Sequence, residues 1–310
     1  GNLVAFSGPD FKATFDKQSG LLTSYLYKKH EYILNGQGPR PFFWRAPTDN
    51  DYGANLPVRL KAWKEASYQE PKAESFQVTP GSNATTVKVT YRFPQTDARW
   101  DITYKIYASG IIKVDNRFMA EGDQAPMIPR VGLRMQLPES FTDLTYYGRG
   151  PKENYRDRRT SQFIGEYAIP VKDMYEPYIR PQENNHRTDI YWCALTDKAQ
   201  RGLLLIADRT FELNASNYSL ESMDSGDTID NGTPRTEKTH HRHLTDPLPE
   251  KMVDLFIDYR MMGVGGDDSW GATAHEPYLI RPGKENAIEY GFTLVPFDKK
   301  EDYKYLIRQY

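Results

Sequence analysis

Apolar residues recur at every second position in short runs from Phe11 to Leu294, and this alternation restricts the chain to half-buried β-strands more firmly than any other feature. Phe11, Ala13 and Phe15 alternate with polar neighbours, Asp16-Lys17-Gln18-Ser19-Gly20 supplies a turn, and Leu22, Ser24 and Leu26 return, which predicts a hairpin. Val87, Val89, Tyr91 and Phe93 repeat the pattern. Ile102, Tyr104 and Ile106 follow, then a turn at Ser109-Gly110, then Ile112 and Val114, so three neighbouring antiparallel strands are predicted. Later strands are expected at Ile190 to Leu195, Leu203 to Ala207, Val253 to Tyr259 and Ile288 to Leu294. Only Leu56, Leu60 and Trp63, following Pro57, suggest a short amphipathic helix. The fold class read from these residues is all-β.

A chain of 310 residues can bury a substantial core, and no repeat or low-complexity linker divides it. Residues 2–300 are read as one domain, with long polar excursions at 170–185 and 224–245. Residues 301–310 lack the continuous apolar face of a packed helix and are read as a C-terminal extension. The start at Gly1, without a methionine, reads as the scar of processing or excision from a longer protein. Any targeting signal is then missing, and the compartment stays open between cytoplasm and periplasm.

Charge excludes some partners. Forty basic and 42 acidic residues give a net charge of -2 with no polybasic block, which points away from nucleic acid and from an anionic membrane. Cys193, the single cysteine, reads as a buried strand residue with no disulfide partner. His240, His241 and His243 form the one dense histidine group, but their spacing supplies no fourth ligand, so no metal is assigned.

The segment Gly263-Val264-Gly265-Gly266-Asp267-Asp268-Ser269-Trp270-Gly271 delivers a tryptophan on a glycine-rich acidic loop directly after a predicted strand. Its glycines allow unusual backbone angles or close approaches, and Asp267, Asp268 and Ser269 can hold the loop in shape. Trp270 then serves either as a flat platform for a sugar or as a plug at the edge of the core. No Gly-Lys-Ser or Gly-Lys-Thr follows, so the loop is not a phosphate cradle. Three further segments carry polar groups beside aromatics: Phe42 to Asp51, Tyr146 to Tyr155, and Arg180 to Asp189. Their Arg45, Asp49, Arg149, Glu153, Glu183, His186 and Arg187 either line a ligand site on one concave sheet face or form Arg–carboxylate locks.

These four segments, in this order, resemble landmarks of the C-terminal domain of the large family-2 β-galactosidases, called the small chain where it is separately encoded. They are Phe43-Trp44-Arg45-Ala46-Pro47-Thr48-Asp49-Asn50-Asp51; Tyr147-Gly148-Arg149-Gly150-Pro151 with Glu153-Asn154-Tyr155; Pro181-Gln182-Glu183-Asn184 with Arg187-Thr188-Asp189; and Met262 to Trp270. The chain departs from the pattern at Lys152, where histidine is frequent, and at Asn185-His186, where Gly-Asn is usual.

The resemblance implies an antiparallel β-supersandwich of the galactose-mutarotase type. It also implies that the catalytic glutamates belong to a TIM barrel outside this chain, to which Trp270 lends an aromatic face. The implied function is a share in hydrolysing terminal β-D-galactosides, with the barrel and β-sandwich domains of the parent enzyme and the galactoside as partners. No cofactor is implied for this chain, any Mg and Na requirement of the parent being met by domains outside it. Two other readings stand beside this one. In an aldose-epimerase-like enzyme His186, Glu183, Glu153 or His275 would carry protons, and in a free-standing carbohydrate-binding module the concave face would hold sugar.

Overall fold

The computed structural model describes residues 1–120, 127–226, 243–268, 270–281, 283 and 287–309. Among them the first strands are β1 (Leu3–Ser7), β2 (Phe11–Asp16), β3 (Leu22–Tyr27), β4 (His30–Glu31) and β5 (Arg40–Phe42). Then come β6 (Ala73–Thr79), β7 (Ala84–Phe93), β8 (Ala98–Tyr107), β9 (Ile112–Ala120), β10 (Arg130–Pro138), β11 (Asp143–Gly150) and β12 (Phe163–Pro170). The last four are β13 (Arg187–Thr196), β14 (Gly202–Ser216), β15 (Met252–Met261) and β16 (Ile288–Phe297). Every pairing among them is antiparallel.

The hairpin read at Phe11–Leu26 is the pair β2 and β3, and the three-strand run is β7-β8-β9. A four-stranded sheet has the order β1-β2-β3-β4. The large sheet runs β12-β11-β13-β14-β16-β9-β8-β7-β6 and branches at β14. Residues Gly202 to Ala207 of β14 pair with β16, whereas Glu212 to Ser216 pair with β15, which continues to β10 and β5. Between these halves Asp208, Arg209 and Thr210 are exposed and pair with neither β16 nor β15.

Aromatic side chains join the layers. Phe15 of β2 lies 5.1 Å from Tyr104 of β8 and Phe43 lies 5.6 Å from Trp100, while within the β5-β10-β15 arm Phe42 lies 5.5 Å from Phe256. One contiguous apolar core therefore runs from Phe11 to Leu294. Burying so many large rings is the main favourable term in holding the sheets face to face. This is the antiparallel supersandwich that the resemblance implied.

Two helical expectations need correction. The stretch around Leu60 is two helices, α2 (Leu56–Arg59) and α3 (Lys61–Tyr68), because Leu60 leaves helical geometry and ends one while starting the other. A further helix, α1 (Asp49–Gly53), precedes them. The extension also folds back: α4 (Leu220–Met223) is followed near the C-terminus by α5 (Tyr303–Ile307), whose Tyr303, Leu306 and Ile307 pack on a small cluster around Trp192 and Phe297. Five residues are too few to show an apolar period, which is why alternation did not reveal this helix.

Candidate functional site

The loop after β15 is anchored from below by Arg45, three residues beyond β5. Arg45 Nε and Nη2 donate to Asp51 Oδ2 and Oδ1 at 2.9 and 2.8 Å, while Nη1 and Nη2 donate to the carbonyls of Met262 and Gly263 at 2.7 and 3.0 Å. Both side chains are buried. Burial opposes the Arg45 charge, and the Asp51 carboxylate outweighs it, holding the guanidinium above its ordinary pKa. Asp51 is fixed in turn by the start of α1. Its amide donates to Thr48 Oγ1 at 3.1 Å and its carboxylate accepts from the Thr48 amide at 3.0 Å, a reciprocal N-terminal cap. Arg45 is therefore an Arg–carboxylate lock that doubles as the floor of the loop.

Further out, Asp268 Oδ1 accepts from the amides of Trp270, Gly271 and Ala272 at 3.0, 2.9 and 3.0 Å. These amides hold its carboxyl below the usual range, so it stays ionised and is no proton donor near neutral pH. Asp267 Oδ1 lies 2.8 Å from His275 Nε2. The Trp270 ring itself is 77 % exposed, which excludes the core-plug reading. Ser269 lies outside the described residues, as do His240 and His241. The loop glycines have no left-handed backbone; Gly263, Gly265 and Gly266 allow close approach, whereas nothing crowds Gly271.

A second cluster lies beneath the first. His186 is fully buried, with Nδ1 2.7 Å from Asn214 Oδ1 and Nε2 3.0 Å from Glu212 Oε2. Asn214 Oδ1 also accepts from Arg130, and Glu212 Oε2 from the Met261 amide, so both ring nitrogens face acceptors and the imidazole is best satisfied as a cation. Burial works against that charge. The hydrogen bond and charge of Glu212, with Asp258 and Glu183 behind, prevail and raise the His186 pKa. Glu183 Oε1 accepts from Asn214 Nδ2 at 2.8 Å.

The remaining candidates are engaged too. Glu153 accepts from the Asn185 amide at 2.8 Å, from Arg158 at 2.5 Å and from the Tyr178 hydroxyl. Arg149 Nε donates to Asp189 at 2.7 Å, and Arg187 Nη1 donates to the carbonyls of Asn185 and His186 at 3.0 and 3.2 Å. Asp49 is exposed and pairs with Gln182 Nε2 at 3.2 Å.

Two open clefts flank these clusters. The larger, about 950 Å³, lies over β7, β8, β9 and β16 and is lined by groups such as Asp101, Asp115, Arg209, Tyr259, Arg260 and Glu289, with none of the sequence candidates among them. The smaller, about 320 Å³, lies beside the loop and brings together Asp49 and Glu183 with Tyr155, Arg158, Tyr178, Gln182 and Val264. Arg45, Arg149, Glu153, His186 and Arg187 line neither cleft. They hold the loops that shape the smaller one. Among the described residues no group of three or more His, Cys, Asp or Glu side chains is placed to hold a metal ion.

Sequence reasoning missed Asp157, Glu212, Asn214, Arg130 and Asp258. The four under the loop sit on the polar phase of β10, β14 and β15, which alternation reads as facing away from the apolar core, although the fold buries all four. Asp157 follows Tyr155 by two residues, and a glycine at every second position of Gly263-Val264-Gly265 was the one signal that something occupies the missing Cβ space.

The family model described as "Beta galactosidase small chain" matches residues 7–294. A β-galactosidase of Priestia megaterium is 34 % identical over 277 residues, covering 89 % of this chain and 25 % of the relative. One of Lactobacillus delbrueckii subsp. bulgaricus is 32 % identical over 280 residues, covering 89 % and 26 %. The chain thus spans about a quarter of the length of these relatives. Among solved structures, the galactose 1-epimerase of Lactobacillus acidophilus NCFM aligns at a TM-score of 0.52 and 8 % identity, over 96 % of this chain and 98 % of that one, a likeness of fold. With the sandwich, the branch at β14 and a family match running through all four motif segments, the chain belongs to the β-galactosidase small-chain family.

Proposed function

We propose that residues 2–300 act as one domain of a β-galactosidase, presenting Trp270 to a catalytic TIM barrel that lies outside this chain and cleaves terminal β-D-galactosides. One observation carries this reading: a large apolar ring is 77 % exposed at the end of a loop that buried hydrogen bonds hold in place. Burying such a ring is worth about 2 kcal/mol, so a fixed loop that keeps it in solvent makes sense when another surface or a sugar covers it. Asp267, Asp268 and Ser269 are assigned to support of the ring, and Asp49 and Glu183 to the polar wall of the neighbouring cleft.

Hydrolysis with retention needs two carboxyl groups about 5 Å apart, one of them protonated. Asp268 is held ionised by three amides, and Asp267 is tied to His275, which fits a supporting role better than an acid–base pair. The epimerase reading is weakened because His186 is sealed in the interior.

The test is kinetic. The 310-residue chain alone should release no product from a nitrophenyl β-galactoside, and addition of the barrel-bearing remainder of the parent polypeptide should restore turnover. In that assembly Trp270→Ala should raise KM more than it lowers kcat. Turnover by the isolated chain, or an unchanged KM in the variant, overturns the proposal.

A further inference from the structure

The Trp270 end of the loop is a closed unit. Asp268 caps the amides of residues 270–272, and a Cβ added to Gly266 would lie 2.7 Å from the Ala272 carbonyl oxygen, so the two arms touch. What aims this unit is its root. There Asp157, carried on a different segment, places Oδ1 3.1 Å from the Val264 amide and Oδ2 2.7 Å from the Gly265 amide. A Cβ on Gly263 would lie 2.5 Å from Asp157 Oδ2, and one on Gly265 would lie 3.0 Å away. The two glycines leave the space that this carboxylate fills.

The carboxylate is itself held firmly. Tyr155 and Arg158 exchange backbone hydrogen bonds of 3.1 and 2.8 Å, making a tight turn with Asp157 inside it. The Tyr155 ring stacks on buried His186 at 5.3 Å and 20°, and Arg158 is tied to Glu153. A rigid turn thus presents two acceptor oxygens to two successive amides, a geometry with little freedom to drift.

We infer that Asp157 is a positioning residue for Trp270, setting the direction of the aromatic ring through the Val264 and Gly265 amides. This rests on Trp270 acting as a platform, and its consequence is that Asp157 affects sugar binding only through that ring.

Two measurements test it. In the 310-residue chain labelled with 5-fluorotryptophan, five fluorine resonances are expected, that of Trp270 being assigned by Trp270→Phe. Asp157→Ala should shift or broaden the Trp270 line and leave those of Trp44, Trp63, Trp100 and Trp192 in place. Asp157→Asn, which keeps one acceptor, should show an intermediate change. In the assembled enzyme Asp157→Ala should raise KM about fivefold, a change on the scale of one lost hydrogen bond, with little change in kcat. In a Trp270→Ala background it should add nothing.

An unmoved Trp270 resonance, or equal effects of Asp157→Ala in both backgrounds, overturns the inference. If Trp270→Ala is itself silent, the platform reading fails, and the fluorine spectrum still decides whether Asp157 aims the ring.

Discussion

Asp258 lies 3.2 Å from Arg130 Nε, both side chains are fully buried, and neither carboxylate oxygen accepts a hydrogen bond among the described residues. The pair has proximity without the alignment that makes such contacts strong. Burial therefore dominates and pushes the Asp258 carboxyl up from 3.8 to about 7, against the opposing charges of Arg130 and His186 and with help from Glu212 and Glu183. A folded pKa above the unfolded one contributes stability that is full below the ordinary value and lost as pH climbs through about 7. His186, also raised, has the same sign from 6.5 upward. Wild type should thus lose stability relative to Asp258→Asn between pH 4 and 7, by at most about 1.4 kcal/mol per pH unit. Urea unfolding of both proteins at several pH values checks this, and parallel pH profiles contradict it.

Removing Arg45 strands Asp51 without its partner inside the protein and frees the carbonyls of Met262 and Gly263. Arg45→Ala should cost about 3–5 kcal/mol, the usual penalty for breaking a buried pair from one side. Arg45→Lys should recover only part, since an ammonium cannot reproduce the fork to Asp51. Denaturant midpoints measure both.

Trp270→Ala should leave stability within about 0.5 kcal/mol of wild type, because the ring makes no core contact to lose. Together with a raised KM in the assembled enzyme, an unchanged melting temperature would separate binding from folding. A large drop in melting temperature would return Trp270 to a structural role.

The terminal helix should matter to the fold. Tyr303 lies 5.3 Å from Phe297 and 6.1 Å from Trp192, so Tyr303→Ala should destabilise by about 1–2 kcal/mol. Thermal unfolding reads this directly, and no loss would mark residues 301–310 as a passive tail.

Strand positions were legible because their signal is local: alternation across Val87 to Phe93 depends on no other part of the chain. The loop at Trp270 was legible for a similar reason, its glycines and acids being adjacent in sequence. Its supports were not. Asp157 is separated from Val264 by 107 positions, and Glu212 from Met261 by 49, so only the folded register brings them together. Polar residues such as Arg45 and His186 were picked out by type, and type alone does not tell a buried strut from a ligand contact. Charge and hydrogen-bond partners decide that, and they come from distant strands.

The branching of β14 has a consequence for how the chain acquires its shape. Because Gly202–Ala207 and Glu212–Ser216 serve different neighbours, neither layer has its full ladder until this one strand is in place. Met135 of β10 has to await Leu255 of β15, and β15 in turn docks on β14, so early strands emerge with their backbone groups unmatched. Such long-range closure slows folding and leaves open edges exposed to intermolecular pairing in the meantime. The strand that completes both arms of the finished sandwich is thus also one whose late pairing leaves edges open in the nascent chain.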